Sequence, residues 1–189
     1  MNAHRLIALL IVLNAAAVVA QDAKPAFHFS GKVSALAVPA ERIGSQWEGP
    51  TGLVIDDFKD LSGQPEEVKE VAEELKKQVS TIGVVQTADF TYQKKFNALH
   101  QVTLRIFVFD SEASCRDWWK KKYQYDGWEK ENMAVPGLPY QAADSKQMKK
   151  RAVALGNVWM TCGTITMTDD HLKVLDLYLD KLKAAKSSR

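Results

Sequence analysis

Apolar and polar positions change period along this chain, and the changes mark its elements. Residues 102–109, VTLRIFVF, form a β-branched and aromatic run that predicts a buried strand. Asp110-Ser111 breaks the run, and helical spacing follows. Ser111 is the better N-cap of the two, and Glu112 places negative charge in the first turn. Cys115, Trp118 and Trp119 stand at i, i+3 and i+4, so they share a face that should pack onto a sheet, while Lys120, Lys121 and Lys122 point outward. An earlier helix is predicted from Pro65 to about Val79, with Glu66-Glu67 complementing its dipole. Val68, Val71, Leu75, Val79 and Ile82 form its stripe, and Gly83 suits a left-handed cap.

Period-two patterns predict the remaining strands. Val84, Ala88, Phe90 and Tyr92 share one parity over 84–96, and a turn at 94–97 joins that stretch to 102–109. Arg105 has the parity of Thr103, Phe107 and Phe109, and is either a sheet-face charge reaching water or an anchor for an anion. Residues 149–155 and 158–166 flank Gly156-Asn157, a strong hairpin signal. Pairing Leu155 with Val158 puts Val153, Leu155, Val158, Met160 and Cys162 on one face, and Ala152, Ala154, Trp159 and Thr161 on the other. A closing helix is predicted after Thr168, with Asp169-Asp170 in its first turn and Leu172, Leu175, Leu179 and Leu182 as its stripe.

The other stretches are less regular. Residues 21–29 read as a mobile leader, 33–38 as a short edge strand ended by Pro39, and 44–52 as an irregular arm packed by Trp47. Residues 53–57 are a short strand candidate, and Asp56, Asp57 and Asp60 read as a solvated acidic turn. From 126 to 147 no periodicity holds, which suggests a functional lid or pocket wall, or alternatively a cap on the core edge.

Together these elements predict an α+β fold, a mostly antiparallel sheet with helices packed on one face. Residues 53–155 have the ferredoxin-like βαββαβ order, extended by one strand and one C-terminal helix. The expected division is a signal peptide over 1–20, an extended arm over 21–50 and one α+β domain over 51–189.

The first residues suggest an address. One positive charge at Arg5, an apolar run over 6–19 broken only by Asn14, and the small residues of Val18-Val19-Ala20 form a secretory signal pattern. The run is short of the roughly 20 residues a spanning helix needs, so a secreted or periplasmic protein is expected, with no membrane span after cleavage. Losing Arg5 takes the formal charge from +2 to +1, which gives no case for nucleic acid. Lysines interleaved with aromatics over 118–125 fit ordinary amphipathic patterning better than single-strand binding. In an oxidising compartment the only two cysteines, Cys115 and Cys162, favour a disulfide over two buried thiols.

Chemical motifs are lacking. There is no GxSxG, GxxxxGK[ST], GxGxxG or HExxH, and His28, His100 and His171 are far apart, so neither a metal site nor a cofactor is indicated. The reading favoured is a non-catalytic exported domain that binds a small molecule or protein partner through Trp118, Trp119, Tyr123, Trp128, Met133 and Tyr140. One alternative is a small exported enzyme using His100, His171 and Arg105. Another is a homodimer burying an open sheet face that carries Phe107 and Trp159.

Overall fold

Antiparallel strands organise the middle of the chain. The computed structural model describes residues 27–122, 128–131, 134–135, 138–145, 149–166 and 168–187, with the backbone alone at 80, between 128 and 145, and at 186–187. Strands β1 (Trp47–Thr51) and β2 (Val54–Ile55) precede helix α1 (Glu66–Val79). Strands β3 (Val84–Lys94) and β4 (Asn97–Phe109) lead into α2 (Glu112–Lys122). Then come β5 (Trp128–Glu131), β6 (Ala134–Val135), β7 (Leu138–Ser145), β8 (Lys149–Leu155), β9 (Val158–Thr164) and α3 (Asp170–Ser187). The sheet order is β1-β3-β4-β9-β8-β7-β5, with β2 beside β3 and β6 beside β7. Each of these pairings is antiparallel.

The α+β class and the antiparallel sheet are as expected, but two finer expectations are corrected. The strands do not interleave as in a ferredoxin-like sheet: β2 pairs directly with β3 although α1 joins them, and β4 pairs with β9. The helices also occupy both faces. Alternation sends Leu104, Ile106, Val108, Met160 and Cys162 against Val174, Leu175, Tyr178 and Leu182 of α3. It sends Phe107, Phe109, Ala152 and Trp159 against Cys115 and Trp119 of α2 and Ala72 and Val79 of α1. The physical reason lies in β4, whose apolar run leaves both faces needing cover.

Local chemistry explains most boundaries. Ser111 caps α2, its Oγ accepting from the Ser114 N–H at 3.1 Å. A register shift between Val84 and Gln86 puts Val84 on the α1/α2 face, while Ala88, Phe90 and Tyr92 take the α3 face. On α1, Ala72 and Val79 are buried, but Val71 is 53% exposed. The helix is therefore rotated away from its expected stripe and lies over the sheet without closing on it.

The N-terminal stretch belongs to the core. Val33–Leu36 is a 3-10 turn rather than an edge strand, and Phe27, Phe29 and Trp47 are buried with α3. Asn157 anchors this stretch: it accepts from the Phe29 N–H at 2.7 Å, and its Nδ2 donates to the Phe29 and Phe109 carbonyls, both at 3.0 Å. Its neighbour Gly156 has φ 57°, and a Cβ there would lie 1.8 Å from the Phe27 carbonyl oxygen. The 126–147 stretch also departs from expectation, since β5, β6 and β7 extend the sheet through it. In the acidic turn, Asp56 accepts from the Ser34 N–H and hydroxyl.

Candidate functional site

The α1/α2 face of the sheet holds a cleft of about 620 Å³. That size lies within the roughly 300–1,000 Å³ of small-molecule sites. Register explains why it forms. Phe107 pairs with Trp159, Arg105 with Thr161, and Thr103 with Gly163, so aromatic, charged and small residues form successive rows across β4 and β9. Strand β8 continues them with Ala154, Ala152 and Lys150. Gly163 and Thr161 line the cleft floor, while Ala152 and Ala154 are packed into the core beside it. Leu75, Val79 and Ile82 form one wall of the cleft, and Trp118 and Lys122 of α2 form another.

Polarity changes along the strands. At one end Phe107, Trp118 and Trp159 pack together, with ring centroids 5.2 Å (Phe107–Trp159), 6.0 Å (Phe107–Trp118) and 6.0 Å (Trp118–Trp159) apart. Next come Arg105 and Thr161, then Lys150, with Gln101 and Ile165 towards the other end. Arg105 is clamped by Asp89 on β3 through Nε and Nη2, each 2.7 Å from a carboxylate oxygen. Lys122 Nζ lies 5.7 Å from the centre of the Trp118 ring. Burial, reinforced by the positive charges of Lys122 and Arg105, holds the Lys150 ammonium below its usual pKa. Among the described residues, the cleft lining includes no carboxylate, imidazole or thiol.

Among the described residues, two buried donors in this lining lack a hydrogen-bond partner, the Trp118 indole N–H and the Thr161 hydroxyl. Thr161 is only 6% exposed. Buried polar groups are normally paired, so two orphans in one cleft mark it as different from the packed core around it.

The expected site residues divide. Trp118 lines the cleft, whereas Trp119, 5% exposed, is packed in the core between α2 and the sheet. Trp128 and Tyr140 lie on β5 and β7, in register with Ser145 and Leu155. Tyr123 and Met133 fall outside the described residues. Phe107 and Trp159 do not form an open face: both are buried beneath the helical layer.

The expected Cys115–Cys162 disulfide is absent. Both cysteines are buried and unbonded, Cys115 in the α2 core and Cys162 in the α3 core. Alternation along β9 turns Cys162 to the α3 face as expected, but α2 packs on the opposite face, so the sheet separates the two sulfurs. Burial pushes the Cys115 thiol up to about 12 and raises Cys162 as well.

The groups considered for catalysis do not converge. Arg105 faces the cleft, while His100 lies across the sheet with Trp47 and the start of α3. His100 Nε2 is 2.8 Å from Asp170 Oδ2, with the Thr168 and Thr166 hydroxyls at 3.2 and 3.4 Å from the same nitrogen. A relay would need the carboxylate and the hydroxyl on different ring nitrogens. This group instead ties β4 to the first turn of α3. His171 is buried on α3.

Sequence reasoning passed over Thr161, Lys150 and Gly163. Their signal was the parity that puts Thr161 and Gly163 on the same side of β9 as Trp159, polar and small residues beside a large aromatic one.

No protein-family model matches the chain, and no curated protein matches it. Three solved chains do match, among them the extracellular domain of PknH from Mycobacterium tuberculosis. That structure is 11% identical, with 80% of this chain and 94% of that chain covered and a TM-score of 0.43.

Proposed function

We propose that this protein is an exported, non-catalytic accessory domain that holds a small-molecule ligand in the cleft under α1 and α2. The observation that carries this reading is the cleft itself: an aromatic end, a cationic stretch and two unpartnered buried donors share one 620 Å³ space. An enzyme would need an acid–base couple or an activated nucleophile there. The lining supplies cations, amides and hydroxyls, which suit recognition.

Export rests on the charged, apolar and small-residue order of residues 1–20, which lie outside the described residues. Among the described residues, no helix is long and apolar enough to cross a membrane. Tyr123, Trp128, Met133 and Tyr140 remain proposed contacts for a ligand or protein partner reaching beyond the cleft, on sequence grounds alone.

Native mass spectrometry of protein recovered from periplasm or culture medium tests the reading. A retained non-covalent ligand that Trp118→Ala releases from folded protein supports it. A ligand-free protein whose melting temperature no amphiphile or aromatic metabolite shifts would contradict it.

A further inference from the structure

The cleft's polarity is organised, and its organisation identifies a ligand class. Lys150 lies in the row beyond Arg105 and Thr161, its stem running over Gly163 so closely that a Cβ at 163 would stand 3.1 Å from Lys150 Cγ. Among the described residues, Lys150 makes no ion pair or hydrogen bond. Its neighbours in charge are Lys122 and Arg105, both positive. Asp89 neutralises only Arg105, and Lys149 is taken up by Asp169 at 2.9 Å.

A half-buried cation beside like charges costs stability, and a buried hydroxyl without an acceptor adds to that cost. Both Thr161 Oγ–H and Lys150 Nζ–H are satisfied by the same thing, an oxyanion. The Phe107–Trp118–Trp159 group, a few residues along the same strands, has no charged side chain of its own, with Lys122 Nζ at 5.7 Å from the Trp118 ring centre on the α2 side. It suits an apolar chain or ring.

Resting on the proposal that the cleft is a ligand site, we infer that its ligand is an anionic amphiphile, with a carboxylate or phosphate held by Lys150 and Thr161 and an apolar body lying against Phe107, Trp118 and Trp159. Lys122 screens the anion from the side of α2, and the clamped Arg105 adds positive potential without having to leave Asp89. A neutral amphiphile leaves the cation and the hydroxyl unpaired, and a cationic one meets repulsion.

The test is a titration series on the exported protein, following tryptophan emission below the micelle concentration of each probe. The probes are dodecanoate, dodecyl phosphate, dodecanol, dodecyltrimethylammonium, acetate and inorganic phosphate. At least one of the two long-chain anions should bind about tenfold or more tightly than dodecanol, the difference expected for a charged hydrogen bond. Which of the two binds better distinguishes a carboxylate ligand from a phosphate one. Acetate and inorganic phosphate should bind far more weakly, because they lack the apolar body.

Lys150→Met and Thr161→Val should each weaken the long-chain anion about tenfold and leave dodecanol unchanged. Neither should lower the melting temperature, since each removes an unsatisfied group. If dodecanol binds as well as the anions, the charge assignment is overturned while the cleft reading stands. Failure of every long-chain probe overturns both. Anion preference that survives both substitutions overturns the assigned anchor.

Discussion

Adjacent tryptophans on α2 have opposite tasks. Trp119 sits in the core with Cys115 and Phe109, so Trp119→Ala should cost about 3–5 kcal/mol in denaturant unfolding. Trp118 forms a cleft wall, and Trp118→Ala should cost clearly less stability while weakening ligand retention. Equal losses of stability would mean that Trp118 is core and that the cleft lacks that wall. The cysteines give a second check at this scale. In denaturant without reductant, two thiols per chain should react with a labelling reagent, and none should react in the folded protein, because both are buried and unbonded. No label after denaturation would restore the disulfide. The difference between the two expectations comes from packing: alternation along β9 can be read from sequence, but which helix covers which face is decided by long-range packing.

At the level of elements, the sequence was most readable where the signal is local. Ser111 capping α2, the Gly156-Asn157 hairpin and the antiparallel β3–β4 pair depend on neighbours a few residues apart, and all are present. The 126–147 stretch was unreadable because β5–β7 carry no clean alternation, and their place in the sheet is fixed by β7 pairing with β8 while β5 and β6 pair with β7. Phe29 was missed because the partner that orders it is Asn157, far along the chain. The start of α3 offers a test of such long-range contacts. Burial alone would raise the Asp170 pKa, but hydrogen bonds with Thr168, His100 and Lys94 outweigh it and hold the carboxyl below its ordinary 3.8. A carboxyl depressed in the folded state contributes stability that is complete above 3.8 and is lost as pH falls through the folded value. Asp170→Asn should therefore be less stable than the parent at neutral pH and should lose less on acidification through that window. An unchanged acid limb of the stability profile would show that the carboxylate is not what ties α3 to β4.

For the whole molecule, the sheet separates two environments. The α3 face is filled by the N-terminal stretch and α3, and is a packed interior. The α1/α2 face is left partly open where α1 turns Val71 outward and β9 presents Thr161 and Gly163 to the cleft. The central claim is that ligands enter only the second of these environments. Indole N–H resonances report both sides at once, because Trp118 and Trp159 belong to the cleft while Trp47 is buried with the α3 core. On titration with dodecanoate, the Trp118 and Trp159 signals should shift saturably as the apolar chain packs against both rings, and Trp47 should stay in place. Saturable movement of Trp47 with Trp118 and Trp159 unmoved would contradict the account.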